Sequence, residues 1–471
     1  MLAGAAALPA EEPYRNLRDA NLAYNGPAED FANLTELRLG WFGPNDAADP
    51  LTGDLWCAAN LAVDEANSAP RSGTPRVPSD PSPGGGAGFM PASSAPPAPS
   101  ASERSTLDAR PSTSATGPST SPDLPFRLVP RWAPDPWRAG VSLLTRMVYD
   151  EQPLALLGSV DSASTHLAEQ VVAKAQLPLL SPFTTDKSLT LAGVSWMFAF
   201  APSDAAIART LVDSVLATDP RQPESPSGAP KSEIGNPKSK IFLLSGTDHE
   251  SRLTSREVMR EFSRRERLPD SRFEIEPALP VPPEVLAAVE RAAPTHVVLI
   301  ATPEDSARWL TTLRERLVQR APAGAPLFFG SHTLGRRRFL ELAGAAAEGI
   351  RFPLLWDPAA AAPAADSFVA RFSAARGHAP DYAAAFTYDA TRLLVAAIRQ
   401  AGPNRARIRE ALTALSPWPG LAGPVQFDGT GQNTCSALGM GTIRNGAVLP
   451  LPASTSPGAS TPAPTPLHPA P

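Results

Sequence analysis

Cysteine is almost missing from this chain of 471 residues, and lysine is scarce, with five among 42 basic residues. Two cysteines, Cys57 and Cys435, are too few and too far apart for a disulfide framework or a cysteine-based structural zinc site. Each lies among apolar neighbours and reads as a small buried hydrophobe, with a bridge between the two as the alternative. The preference for arginine over lysine reads as genome composition rather than function. Positive charge is not in excess either. The 42 Lys and Arg are outnumbered by 47 Asp and Glu, for a formal net charge of −5, and this excludes a protein that binds nucleic acid by neutralising phosphates. No run reaches the roughly 18 apolar residues of a membrane span.

Signatures of several chemistries are missing as well. No Gly-x-Gly-x-x-Gly opens a helix after a strand, and there is no Gly-x-x-x-x-Gly-Lys-Ser/Thr, so nucleotide and dinucleotide enzymes lose their main support. No Gly-x-Ser-x-Gly nucleophile elbow is present. The six histidines include no pair at metal-ligand spacing. An enzyme, a metal site and a cofactor are therefore not expected.

Proline, by contrast, is abundant: 55 residues, about 12% of the chain against a usual value of about 5%. It concentrates with Ser, Gly, Ala and Thr in residues 68–122, 219–240 and 452–471. These segments cannot bury enough apolar surface to offset chain entropy and are expected to be disordered. Elsewhere short apolar strands alternate with amphipathic helical stretches, the pattern of parallel sheets covered by helices. Strands are expected at 37–42, 126–130, 155–157 and 177–180, with helices at 54–67, 137–150 and up to 175. The second of these helices is expected to carry Val141, Leu144, Met147 and Val148 on one face. The pattern restarts at 241–244 and continues through strands at 273–277, 296–300 and 326–329, with helices at 251–265, 283–293, 304–320 and 336–342. Two successive doubly wound α/β halves follow, in which ligands bind at the carboxyl ends of the strands.

Those ends carry hydroxyls in the first half. Ser159, Ser162, Ser164 and Thr165 follow the third strand, and Thr184 and Thr185 follow the fourth. Hydroxyls and free N–H groups at a helix start make a directional cradle for a carboxylate or other small anion. Singly, each has a plain structural use as a helix cap or turn residue; together, on adjacent strands, they favour a cleft.

Eight segments in register then resemble the type I periplasmic solute-binding proteins, specifically the branched-chain amino-acid receptors of ABC transporters. Among them are Arg38-Leu-Gly-Trp-Phe-Gly-Pro44, Gly158-Ser-Val-Asp-Ser-Ala-Ser-Thr165, Gln176-Leu-Pro-Leu-Leu-Ser-Pro-Phe-Thr-Thr-Asp186, Trp196-Met-Phe-Ala-Phe-Ala-Pro-Ser-Asp204 and Gly423-Pro-Val-Gln-Phe-Asp-Gly429. The resemblance runs from Leu37 to Leu451 apart from the low-complexity insertions. It implies two Rossmann-like lobes joined by three hinge crossings, near 200–203, 351–356 and 423–427. The first lobe would take residues 36–200 and 353–423 and the second 201–352 and 424–451, after a lead of residues 1–35. That lead holds a short apolar stretch with a small-residue pattern at residues 7–10, like an incomplete export signal.

Carried over residue by residue, the resemblance implies that Ser162, Phe183, Thr184 and Thr185 contact a ligand carboxylate, with Thr165 beside them. The acidic residue that the family commonly offers a ligand ammonium is replaced by His332. Asp248 is then the expected source of negative charge, with Glu250, Glu304 and Asp305 as alternatives, each also explicable as a helix-start acid favoured by the helix dipole. The implied function is a monomeric extracytoplasmic receptor that closes on an amino acid or related small carboxylate and delivers it to a membrane permease. A sensor or a scaffold of the same fold is the alternative.

Overall fold

The structure, a computed structural model, describes residues 30–68, 124–133, 135–218, 240–318, 325–357, 359, 363–434 and 438–452. The three low-complexity segments lie almost wholly outside these residues, as do the N-terminal lead up to residue 29 and Cys435. Cys57 is half-buried.

The chain opens with β1 (Leu37–Phe42), α1 (Gly53–Ser68), β2 (Phe126–Arg131), α2 (Val141–Arg146), β3 (Ala155–Gly158), α3 (Ser162–Ala175), β4 (Leu179–Ser181), α4 (Ser188–Leu191) and β5 (Met197–Pro202). There follow α5 (Asp204–Ala217), β6 (Ile241–Gly246), α6 (His249–Arg264), β7 (Ser271–Ile275), α7 (Pro283–Ala292), β8 (His296–Ile300), α8 (Pro303–Val318), β9 (Leu327–Gly330), α9 (Arg337–Ala343) and β10 (Arg351–Leu354). The chain closes with α10 (Pro363–Arg376), α11 (Tyr382–Ala401), α12 (Arg405–Ala414), a hairpin of β11 (Trp418–Gly420) and β12 (Gly423–Val425), then β13 (Gln432–Asn433), β14 (Gly439–Arg444) and β15 (Ala447–Pro450).

Two sheets result. The first runs β13-β5-β4-β3-β1-β2 and the second β15-β14-β10-β9-β8-β6-β7. All pairings in the first are parallel, and the second turns antiparallel only where β14 and β15 join β10. Side chains alternate across each strand, and the cores follow. Trp41 and Leu157 point into the core beneath α1 and α11, whereas their neighbours Phe42 and Leu156 point into the core beneath α2 and α3. In the second sheet Phe242 and Leu299 face α8 and α9, while Leu243 and Val298 face α5 and α6. Both sheets are thus buried on both faces, which explains why their strands read as apolar runs. The two doubly wound lobes expected from the sequence are present.

Two local expectations need correction. Val141, the first residue of α2 after the π-helical turn Pro136–Gly140, is 42% exposed, whereas Leu144, Met147 and Val148 are buried. Near 200–203 the chain passes between lobes: β5 ends at Pro202 in the first sheet, and α5, from Asp204, packs in the core of the second. The third passage between lobes does not fall at 423–427. There the hairpin and β13 remain with the first lobe: Phe427 packs against Phe198 with ring centroids 5.2 Å apart, and the Gln432 and Asn433 side chains donate to the Ala201 and Phe200 carbonyls at 2.9 and 2.8 Å. The chain changes sheets between Asn433 and Gly439.

The order 2-1-3-4-5 recurs in both sheets, so each has a switch point: between β1 and β3 in the first, between β6 and β8 in the second. Ligands of open parallel sheets collect beyond such points. Gly158 ends β3 at the first of them with φ of +139°, and a Cβ there would meet the Phe42 carbonyl oxygen at 2.8 Å.

The first passage between lobes is tied by a buried acid. Asp204 begins α5, and its N–H donates to the Thr185 carbonyl at 2.7 Å. Its Oδ1 accepts the hydroxyls of Thr185 from the first lobe and Thr254 from the second, at 2.9 and 2.8 Å. Burial pushes the Asp204 carboxyl up to about 7, against the two hydroxyl bonds and with help from the charges of Asp186 and Glu257.

Two consequences can be measured. Gly158→Ala should lower stability by about 1–3 kcal/mol, read from urea unfolding. An acid whose folded pKa is raised adds stability that is complete below its unfolded value and fades as pH rises through the folded one. Asp204→Asn keeps an acceptor for both hydroxyls and removes the charge, so its melting temperature should gain on the parent between about pH 5 and about pH 8; an offset that does not change with pH would contradict this.

Candidate ligand-binding site

Between the switch points of the two sheets lies a cavity of about 350 Å³, near the lower end for small-molecule sites. Its first-lobe wall is built by a helix start. Asp161 stands in extended conformation before α3 and its carboxylate accepts the Ser164 N–H at 2.6 Å. This caps the helix and leaves the N–H and hydroxyl of Ser162, the first helical residue, turned to the cleft. Thr184, from the loop after β4, places its hydroxyl 2.5 Å from Ser162 Oγ. Phe183 and Thr184 line the cavity beside Ser162.

The second-lobe wall is built the same way. Asp248 caps α6 by accepting the Ser251 N–H at 3.0 Å; its other oxygen is buried without a partner among the described residues. Glu250, in the first turn of α6, reaches across the cleft into the first-lobe cradle. Its two oxygens accept the Ser162 N–H at 2.5 Å and the Ser162 hydroxyl at 2.8 Å. With the Ser162 proton directed to Glu250, Thr184 donates its own to Ser162 Oγ. Burial, then the charge of Asp204, raises the Glu250 carboxyl to about 8, although both bonds from Ser162 oppose the shift.

After β9, His332 closes the wall. It is 7% exposed, its Nδ1 has no partner among the described residues, and its ring meets Tyr382 edge-on at 5.8 Å. Burial, helped by the charge of Arg336, lowers its pKa to about 4, so it is a neutral imidazole at neutral pH. Arg336 is the cation of this wall, and it is already engaged. It donates to Asp381, the cap of α11, at 2.7 Å and to the Leu51 carbonyl at 2.9 Å, and lies over the Phe183 and Tyr382 rings.

The sequence-derived residues divide accordingly. Ser162, Phe183, Thr184, Asp248 and His332 come together around one cavity. Thr185 borders it, but its hydroxyl is spent on Asp204 at the passage between lobes. Thr165 does not reach the cavity lining: its hydroxyl donates to the Asp161 carbonyl at 2.7 Å inside α3. Of the alternative acids, Glu304 is on the wall, while Asp305 accepts the Ala278 N–H and pairs with Arg308. Arg336 had no signal in the sequence, and Glu250 had only its place two residues past a capping Asp.

Known proteins agree with this geometry. The family model described as "Periplasmic binding protein" matches residues 136–447. No curated protein matches the chain. Among solved structures, the substrate-binding protein LivJ of Streptococcus pneumoniae, in complex with isoleucine, superposes with a TM-score of 0.65 at 16% identity over 88% of this chain and 97% of its own. A solute-binding protein of Rhodopseudomonas palustris, in complex with benzoate, gives 0.65 at 14% identity over 88% and 95%. A putative branched-chain amino acid ABC transporter protein of Rhodospirillum rubrum gives 0.58 at 21% over 88% and 100%. Two switch-point lobes meeting at one cleft, together with a model match across most of both, place the chain in the periplasmic binding protein family.

Proposed function

We propose that this protein is an extracytoplasmic receptor that closes on an amino acid or a related small carboxylate and hands it to the permease of an ABC transporter. It acts as a monomer and without a cofactor. The observation that carries the reading is the cradle of Ser162 and Thr184, which already holds a carboxyl group, that of Glu250. An N–H at a helix start and two linked hydroxyls suit a carboxylate from any source.

A ligand carboxylate takes that place and releases Glu250 to the cavity. The wall then presents Glu250 and Asp248, while Arg336 remains neutralised by Asp381. A buried ammonium needs such a partner, and the neutral His332 does not supply one. The isoleucine and benzoate of the two solved structures span the choice between a ligand with an ammonium and one without. The acids on this wall favour the former. No helix among the described residues is long and apolar enough to cross a membrane, in keeping with a partner permease on a separate chain.

Titration calorimetry with a panel of amino acids and simple carboxylates tests the reading. A bound amino acid should lose about tenfold or more in affinity in Ser162→Ala, the scale of one hydrogen bond to a charged group at about 1.5–3 kcal/mol. Glu250→Gln should weaken amino acids more than benzoate-like ligands. If no carboxylate in the panel binds the parent protein, the reading fails.

A further inference from the structure

Beside the cleft, three metal-ligating side chains from distant parts of the chain converge. His166 lies on α3, Asp186 follows β4, and His249 is the first residue of α6, so two come from the first lobe and one from the second. His166 Nε2 is 2.8 Å from Asp186 Oδ2, and His249 Nε2 is 3.8 Å from the same oxygen. One ligand atom from each lies within 4.8 Å of the other two. The two imidazole rings stand at 88° to one another with centroids 6.0 Å apart.

We propose that His166, Asp186 and His249 form a site for a divalent transition-metal ion, zinc by its donor set, that clasps the two lobes together at the rim of the cleft. Two imidazoles and one carboxylate are ligands that zinc accepts in tetrahedral sites, with one position left for water. Bonds of about 2.1 Å in that geometry set ligand atoms about 3.4 Å apart, a value the two measured separations bracket. The ion takes the place of the proton now shared between His166 and Asp186.

The surroundings have the form that supports ligated histidines. The Glu169 carboxylate lies 3.5 Å from His166 Nδ1, the nitrogen that faces away from the cluster, and a carboxylate on that nitrogen fixes ring and tautomer for metal binding. Glu169 is 6% exposed and its other oxygen is buried without a partner among the described residues. Asp186 Oδ1 is held by the Ser188 N–H at 2.8 Å, leaving Oδ2 for the ion. The Ser188 hydroxyl, 2.8 Å from Oδ2 and 3.2 Å from His166 Nε2, has to turn aside. The nearby cation Lys187 is bound to Glu257 at 3.0 Å. The His166 and His249 side chains are 27% and 46% exposed, so an ion from solution reaches them. Neither the carboxylate cradle nor the hinge acid takes part.

The full chain, stripped with chelator, is titrated with zinc and, in parallel, with cobalt(II). The expected result is one saturable equivalent, the visible absorption of tetrahedral cobalt, and a melting temperature that rises with zinc. His249→Ala and His166→Ala should each weaken binding by at least about tenfold. The exposed His249→Ala should melt like the parent when no metal is present, which controls for folding. Absence of saturable zinc binding, octahedral cobalt only, or binding that His249→Ala leaves unchanged would overturn the proposal; the last would place the ion on one lobe alone or elsewhere.

Discussion

One carboxyl group joins the two lobes of this protein across the cleft. Glu250 accepts two hydrogen bonds from Ser162, and it does so from a buried position where its charge is poorly solvated. Hydrogen bonds to an ionised group strengthen in a low-dielectric site, but removing the charge from water works against them. The outcome is visible in the direction of its titration: burial outweighs both bonds and raises the carboxyl. Nearby Asp204 is raised for the same leading reason. Two acids that resist ionising therefore sit at the places where the lobes meet.

The topology explains why they meet there. Both sheets have the 2-1-3-4-5 order, which leaves a crevice beyond the carboxyl ends of the strands beside the switch point. Each crevice is flanked by a helix start, α3 in one lobe and α6 in the other, and each helix is capped by an Asp that accepts the N–H three residues on. The caps free the residue just inside each helix to work across the cleft. In α3 that residue is Ser162, a donor; in α6 the next one is Glu250, an acceptor.

Much of this was legible in the sequence, and the failures have physical causes. Parallel strands such as β8 betray themselves by unbroken apolar runs because both faces are covered. Ser162, Thr184, Asp248 and His332 were legible because each follows a strand closely, where α/β topology puts ligands. Thr165 and Thr185 carried the same local signal yet serve α3 and the hinge. A hydroxyl's neighbours in sequence do not say which of two nearby acceptors it will choose. The third passage was misplaced because β13 is two residues long and is held to β5 by side-chain amides from Gln432 and Asn433, a tie without periodicity. The His166, Asp186 and His249 cluster left no trace in residue spacing, since its third member arrives from the other lobe.

A ligand shifts an open–closed balance only through contacts that differ between the two states. In this cleft the hydroxyl cradle is satisfied by Glu250, so a carboxylate entering it exchanges one partner for a similar one and gains little from that contact alone. The larger difference lies with the carboxylate it displaces. Glu250, whose carboxyl burial raises to about 8, ionises beside Asp248 only where a cation meets it, and Arg336 is committed to Asp381 while His332 is neutral. A ligand that brings its own ammonium supplies that cation, and the attraction is strongest in the closed form, where water is excluded. On the proposed reading the cradle would admit carboxylates broadly, and selection for an amino acid would rest on the acids of the second lobe.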